Sequence, residues 1–449
     1  MTELFIQLLE EKNYSGLKLE MSEINPADAA AIMDELYYDR EDSKELLILF
    51  RLMPKDLAAD CFAFLESEIQ QALITLFSDS ELQAVLEQTF VDDAVDMIEE
   101  MPANVVSRIL KNSNPQTRAA INEILKYPSD SAGSIMTIEY VVLGAEMTVD
   151  EAFMRIRRTG VDKETIYTCY VKDKNRHLIG IVSVKNLLLA DENSKIGDIM
   201  ETNIISVNTH EDREVVTSMF EKYDFLALPV VDNEFRLVGI VTIDDVIDVI
   251  QEEVTEDIEK MSAIVPSDKP YLKMGVWETV KSRIPWLLLL MISSAFTGKI
   301  IGVYESALAR YMILSTFIPM FMGTGGNAGG QSSVTIIRSL SLGDVDFSDL
   351  LGVVWKEIRV GVLCGIILTL ANFLKLMLVD HVTMEIAVVV CITLLVTVVI
   401  AKIVGCMLPM LAKKIGFDPA VMASPFITTI IDALSLVIYF QVAKGFLGI

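Results

Sequence analysis

From Ile284 onward the sequence runs through five long apolar stretches, near residues 284–304, 311–337, 351–379, 384–411 and 420–443. A helix needs about 20 mostly apolar residues to cross the hydrocarbon core of a bilayer. The third and fourth, LLGVVWKEIRVGVLCGIILTLANFLKLMLV and EIAVVVCITLLVTVVIAKIVGCMLPML, are too long and too apolar for helices of a soluble core. Residues 276–449 are therefore expected to form an α-helical transmembrane domain of five spans, with the lipid bilayer as its main partner.

The rest of the chain is of opposite character. Residues 1–270 carry 24 Lys and Arg against 53 Asp and Glu, a net of −29, whereas residues 271–449 carry 13 against 10, a net of +3. A domain this acidic repels itself unless bound cations offset the charge, and nucleic acid is excluded as a partner for such a surface. Five scattered cysteines and three histidines argue against disulfides and against thiolate or imidazole metal sites. The opening MTELFIQLLEEKN lacks a basic n-region, so no cleaved signal is expected.

Loop charge orients the spans. Lys273, Lys281 and Arg283 precede the first, Arg338, Lys356 and Arg359 flank the connection between the second and third, and Lys413 and Lys414 lie between the fourth and fifth. The opposite side offers only Arg310 and Asp380-His381. This predicts a multi-pass protein of the cell membrane with its acidic part in the cytoplasm and its C-terminus outside.

Residues 1–130 read as helix throughout. Met53-Pro54 and Met101-Pro102, forty-eight residues apart, each open an apolar helical pattern, which fits stacked hairpins of about 24 residues in an all-α superhelical N domain. Residues 131–250 change to strand–helix alternation, twice in register: TIYTCYVKDKNRHLIGIVSVKNLLLA and DFLALPVVDNEFRLVGIVTIDDVIDVI, each introduced by an Ile-Met or Met-Thr segment. This resembles a tandem pair of α/β CBS (cystathionine β-synthase) modules. Such pairs often bind adenine nucleotides such as ATP, holding the ribose by a Thr or Ser and an Asp three residues later. Thr242 and Asp245 match that spacing; Ser183 is followed there by Asn186, with Lys185 where Arg is common. A purely structural CBS pair is the alternative.

Two spans contain residues that suit ion transport. The second holds PMFMGTGGNAGGQSS, residues 319–333, where Pro319 and five glycines are expected to break the helix at membrane depth. Irregular backbone is tolerated there only when it lines a cavity or is buried in protein. Gly325 and Gly326 then serve close helix packing or, with the Asn327 and Gln331 amides, line a polar path. The fifth holds FDPAVMASPFITTIIDALSLVIYF, with Asp432 in mid-helix, Thr428 and Thr429 one turn before it and Pro425 below. A charge at that depth costs at least about 2.5 kcal/mol unless paired or hydrated. Mg²⁺ holds its water tightly and needs only one or two carboxylates, so a lone Asp suits it. The alternative for Asp432 is an ion pair with Lys299, Lys375 or Lys402.

The order of acidic helical domain, CBS pair, charged connecting helix and five spans is similar to the MgtE magnesium-channel family, as are GTGGNAGGQ and FDPA…P-x-x-TT-x-x-D. Ser424, Ser435 and Gly330 depart from the usual pattern. The resemblance implies a Mg²⁺-selective homodimeric channel, closed by cytoplasmic Mg²⁺, with both copies of Asp432 at a pore on the two-fold axis. It makes residues 251–275 the plug region, with DDVIDVIQEEVTEDIEK (residues 244–260) joining the CBS pair to the membrane. It places Asp92 and Asp96 against Asp245 and Asp248, and Asp212, Glu214 and Asp224 near a CBS dimer interface. Asp418 is expected to meet the plug near Glu256 and Asp257. Each acidic pair repels when bare and attracts when a divalent ion bridges it. The rivals are a coupled divalent-cation exchanger and a membrane-anchored nucleotide or metal sensor. Against the exchanger stand the absence of an evident inverted repeat and of a second buried carboxylate. No nucleophile–base set suggests an enzyme.

Overall fold

A computed structural model describes residues 2–40, 43–267, 271, 274–422 and 424–448. Lys273 and the side chain of Ser424 lie outside the described residues. The chain forms two compact units, Met1–Ile250 and Gln251–Ile449.

The first unit opens with short helices from Thr2–Glu10 to Pro115–Ile124. Pro54 and Pro102 stand at the N-caps of Lys55–Ala63 and Ala103–Asn112, where a missing N–H costs nothing. Ser78 and Glu81 close a capping box at Asp79–Leu86. Along this series most helices pack on the helix two further along the chain, which winds them into a superhelix. Leu17, Met21, Leu49, Phe62, Leu73 and Ile109 fill its core, and the Phe50, Phe62 and Phe77 rings meet at 5.1–6.0 Å. Three aspartates, Asp92, Asp93 and Asp96, share the helix Val91–Glu100, here α1.

Two three-stranded sheets come next in the chain. β1 (Tyr140–Leu143), β2 (Thr165–Lys172) and β3 (Leu178–Ser183) form the first, and β4 (Val207–Asn208), β5 (Ala227–Val231) and β6 (Leu237–Thr242) the second. In each, the first pair is parallel and the second antiparallel. Thr137 pairs with Ile240 and Ile181 with Glu201, so the segment leading into each module crosses the last strand of the other. That exchange explains why the Ile-Met segments recur. β6 runs directly into α2, Ile243–Met261.

The second unit holds α3 (Val276–Val303), α4 (Ile318–Ser341), α5 (Leu350–Leu378), α6 (Met384–Lys414) and α7 (Ser424–Leu447). Among the described residues four segments, Val276–Val303, Phe347–Leu378, Met384–Lys414 and Pro419–Leu447, are long and apolar enough to cross a membrane. The helix of the expected second span, α4, is 24 residues long, but its glycines and amides lower its hydropathy. α6 is the hub, packed by α4, α5 and α7. Its length and burial fit a span surrounded by protein.

One expectation is overturned here. The Gly-rich stretch is not broken: α4 continues through all five glycines, with Pro319 in its first turn. Proline is compatible with a first helical turn, and the glycines lose little where neighbouring helices pack against them. Pro425 likewise lies in the first turn of α7.

Candidate ion path and acidic clusters

Glycine brings α4 onto its neighbours. A Cβ at Gly325 would lie 2.9 Å from Ile431 Cγ2 and Ser435 Oγ, and one at Gly326 would lie 3.0 Å from Thr428 Cγ2. Both residues are buried against α7, so of the two expected roles the structure supports close packing. Asn327 and Gln331, one turn apart, lie on the exposed side of α4. Ser435, one of the departures from the family pattern, is 1 % exposed, and its hydroxyl is without a hydrogen-bond partner among the described residues.

Asp432 is half-buried in mid-α7. Among the described residues no cation pairs with it, and all three lysines proposed as partners are engaged elsewhere. Lys375 pairs with Asp380 at 2.7 Å, Lys299 lies 5.9 Å from the Phe296 ring centroid, and Lys402 bonds to α4. The Thr428 and Thr429 hydroxyls both donate to the Pro425 carbonyl at 2.9 Å. That carbonyl is thus occupied, not freed for an ion, while the hydroxyl oxygens retain lone pairs. The second unit also contains a further carboxylate, contrary to the sequence reading. Glu357 of α5 is 14 % exposed and 3.9 Å from Lys402 Nζ.

In the first unit, burial concentrates carboxylates at the start of α2. Asp92 is 6 % exposed; burial, then repulsion from Asp245 and Asp93, pushes its carboxyl well above the usual range. Asp245 rises to about 7, raised by burial and by Asp244 and Asp93 against the Thr242 hydrogen bond that lowers it. Asp93 rises to about 6, through burial and then Asp244, and Glu164 to about 8, through burial and then Asp244 and Asp245. Glu164 Oε2 is buried with no hydrogen-bond partner among the described residues. The structure brings Asp92 to Asp245 but leaves Asp96 exposed on α1. Asp248 is exposed and raised by partial burial and then by Asp244 on its own helix. Asp93, Asp244 and Glu164 are additions to the expected set. Asp93 and Asp244 adjoin residues within it, whereas nothing in the local pattern marks Glu164.

Asp212, Glu214 and Asp224 do local work at one helix. Asp212 caps Arg213–Tyr223 by accepting from the Glu214 N–H at 2.8 Å, and Asp224 ends it at φ 54°. Asp224 also lines a cavity of about 840 Å³ with Tyr167, Ser183, Lys185, Glu201, Asn203 and Phe225. Ser183 is there, but Thr242 and Asp245 are not among its lining residues. Thr242 instead donates to Asp245 at 2.6 Å.

In the second unit Asp418 meets α2 as expected, with an unexpected cation between. Lys260 Nζ lies 2.5 Å from Glu256 and 2.8 Å from Asp418. Partial burial would lower the Lys260 pKa, but these two hydrogen bonds prevail and raise it. Asp257 is raised by burial and then by Asp418. Among the described residues no three His, Cys, Asp or Glu converge tightly enough to cage a metal alone. The orphaned Glu164 oxygen among repelling carboxylates nevertheless suits a divalent ion that keeps most of its water. The Lys260 site suits one less well.

Comparison with known proteins agrees along the chain. Family models match as MgtE intracellular N domain over residues 24–130, as CBS domain over 132–193 and 196–252, and as MgtE divalent cation transporter over 318–442. The magnesium transporter MgtE of Thermus thermophilus is 36 % identical over 442 residues, covering 98 % of this chain and 96 % of the relative. That of Bacillus subtilis is 30 % identical at the same coverage. The crystal structure of the cytosolic domain of the Mg²⁺ channel MgtE in complex with ATP superposes with a TM-score of 0.51 at 35 % identity, over 56 % of this chain and all of that one. The soluble part of a magnesium transporter superposes with 0.52 at 30 % identity, over 56 % and 97 %. A near-full-length match at this identity, with every domain in the same order, makes the chain a member of the MgtE family of magnesium transporters.

Proposed function

We propose that this protein is a Mg²⁺-selective channel for magnesium uptake that cytoplasmic Mg²⁺ closes. The observation that carries the reading is Asp432, a mid-helix carboxylate with no cation partner among the described residues. Hydration and a passing cation are then what stabilise its charge. The exposed Asn327 and Gln331 amides supply neutral oxygens suited to an ion that retains its water. A homodimer would place both copies of this polar face about one axis, with the acidic unit in the cytoplasm and the C-terminus outside.

The sensor is the group of Asp92, Asp93, Glu164 and Asp245, with the exposed Asp244, Asp96 and Asp248 at its edge. Bare, these carboxylates repel; a bridging Mg²⁺ favours the compact arrangement, and its loss lets the elements part. A ligand shifts such an equilibrium only by its differential affinity, so several weak sites acting together give a steep response. Asp212, Glu214 and Asp224 belong to the same sensor on the family resemblance. The cavity lined by Ser183, Lys185 and Asp224 is the place for ATP, in keeping with the ATP complex of the related cytosolic domain.

The exchanger reading needs a second carboxylate free to carry a coupling ion. Glu357 is beside Lys402 and accepts from Ser332, so its charge is already balanced. The deciding experiment is Mg²⁺ uptake by Asp432→Ala in Mg²⁺-starved cells. Loss of uptake supports the path; unchanged uptake removes Asp432 from it.

A further inference from the structure

Three helices of the membrane unit meet at one buried ionic group. Lys402 of α6 is 6 % exposed. Its Nζ donates to Ser332 Oγ at 3.2 Å and to the Ala328 carbonyl at 3.4 Å, both on α4. Ser332 donates in turn to Glu357 Oε2 of α5 at 2.5 Å. Ammonium, hydroxyl and carboxylate thus form a chain that is neutral as a whole.

Stability alone does not account for this pair. Replacing a buried ion pair by apolar side chains is often neutral or stabilising, whereas removing one partner strands a buried charge. What the pair adds is direction. A Cβ at Gly405 of α6 would overlap the Gly329 carbonyl oxygen of α4, and one at Gly329 would meet the Ala401 carbonyl oxygen at 3.1 Å. The two backbones therefore touch at Gly329, where a Cβ would also overlap Ile431 Cδ1 of α7, and the glycine itself offers no directional contact. Ala328 and Ser332 stand on either side of Gly329, one turn apart. The Lys402 bonds add a directional polar contact to α4 beside this close packing. Asn327 and Gln331 each precede one of these anchors, so they lie about 100° around the helix from them, on its exposed side.

We infer that Lys402 and Glu357 are positioning residues for the ion path: through Ser332 and Ala328 they set the rotation of α4, and with it the direction of the Asn327 and Gln331 amides that select the ion. The inference rests on the reading of α4 and α7 as the path. No ion touches either charged group; both act through α4.

The test is uptake of Mg²⁺ and Co²⁺ by the full-length protein in proteoliposomes, for Lys402→Met, Glu357→Gln, the two combined, and Asp432→Ala. Each single substitution strands a charge, and Mg²⁺ uptake is expected to fall by about tenfold or more. The double variant removes both charges and should recover uptake to within about threefold of the unmodified protein. Its Mg²⁺/Co²⁺ ratio should stay shifted, because the polar contacts that orient α4 at Ala328 and Ser332 are then lost. A double variant with the original ratio overturns the inference, since the pair then only balances charge. A double variant that does not fold overturns it too, since the role is then structural. If only the single variants fail to fold, the ratio in the double decides. Asp432→Ala separates the two claims: full uptake there sinks the path reading whatever the ratios show.

Discussion

A carboxylate in the middle of α7 needs a reason to stay charged, and Lys299, Lys375 and Lys402 all have other contacts. If Asp432 served the fold, removing it would weaken the protein; if it serves passage, removing it silences a protein that folds as well or better. We expect Asp432→Leu to keep or raise the thermal midpoint in detergent while Mg²⁺ uptake falls by about tenfold or more. The acidic cluster makes a second prediction. Asp93, Asp245 and Glu164 titrate near 6, 7 and 8, above the values of an unfolded chain, so the folded state binds more protons between those limits. Stability of the metal-free protein therefore falls as pH rises from about 4 to about 8. The thermal midpoint in EDTA should be higher at about pH 5 than at about pH 8, and added Mg²⁺ should raise it more at the higher pH. A midpoint that does not change with pH would contradict the buried cluster.

At the scale of elements, sequence and structure part company at α4. Five glycines and a proline within one apolar stretch argue for a break, because glycine lowers helix propensity by about 1 kcal/mol per residue. Propensity takes no account of the partner: at Gly325 and Gly329, α6 and α7 approach so closely that a side chain would clash, and that packing offsets the cost. Gly405→Ala should therefore lower stability by about 1–3 kcal/mol, read as a reduced thermal midpoint, although alanine is the better helix former. An unchanged or raised midpoint would show that the helices can separate freely. The contact of α2 with Asp418 was legible from the family order, but Lys260 was not, although it stands four residues after Glu256. An ammonium between two carboxylates does locally what a bridging ion would do. Lys260→Gln should leave closure more dependent on Mg²⁺, moving the half-closing concentration in flux assays. No movement would make the Lys260 contacts incidental.

For the whole molecule, the fold was most legible where composition changes abruptly. A net of −29 over residues 1–270 and long apolar helices after them already separate a strongly acidic part from a membrane part. The CBS repeat was equally legible, because strand alternation and the GIVS and GIVT sequences recur in register. What could not be read was which carboxylates converge. Glu164 comes from the loop before β2, Asp92 and Asp93 from α1, and Asp244 and Asp245 from α2, and only the tertiary packing joins them. The same limit hid Glu357, which reads as one charge in a span until Ser332 and Lys402 are placed beside it.

The central claim is that this acidic cluster closes the path that Asp432 lines. It is tested most directly by titrating Mg²⁺ on the cytoplasmic side of membrane patches while recording current, with Asp92→Asn and Asp245→Asn together against the unmodified protein. The account predicts that current through the unmodified protein falls steeply with Mg²⁺, and that the double variant conducts at concentrations that silence it. Closure of both at the same Mg²⁺ concentration would contradict it.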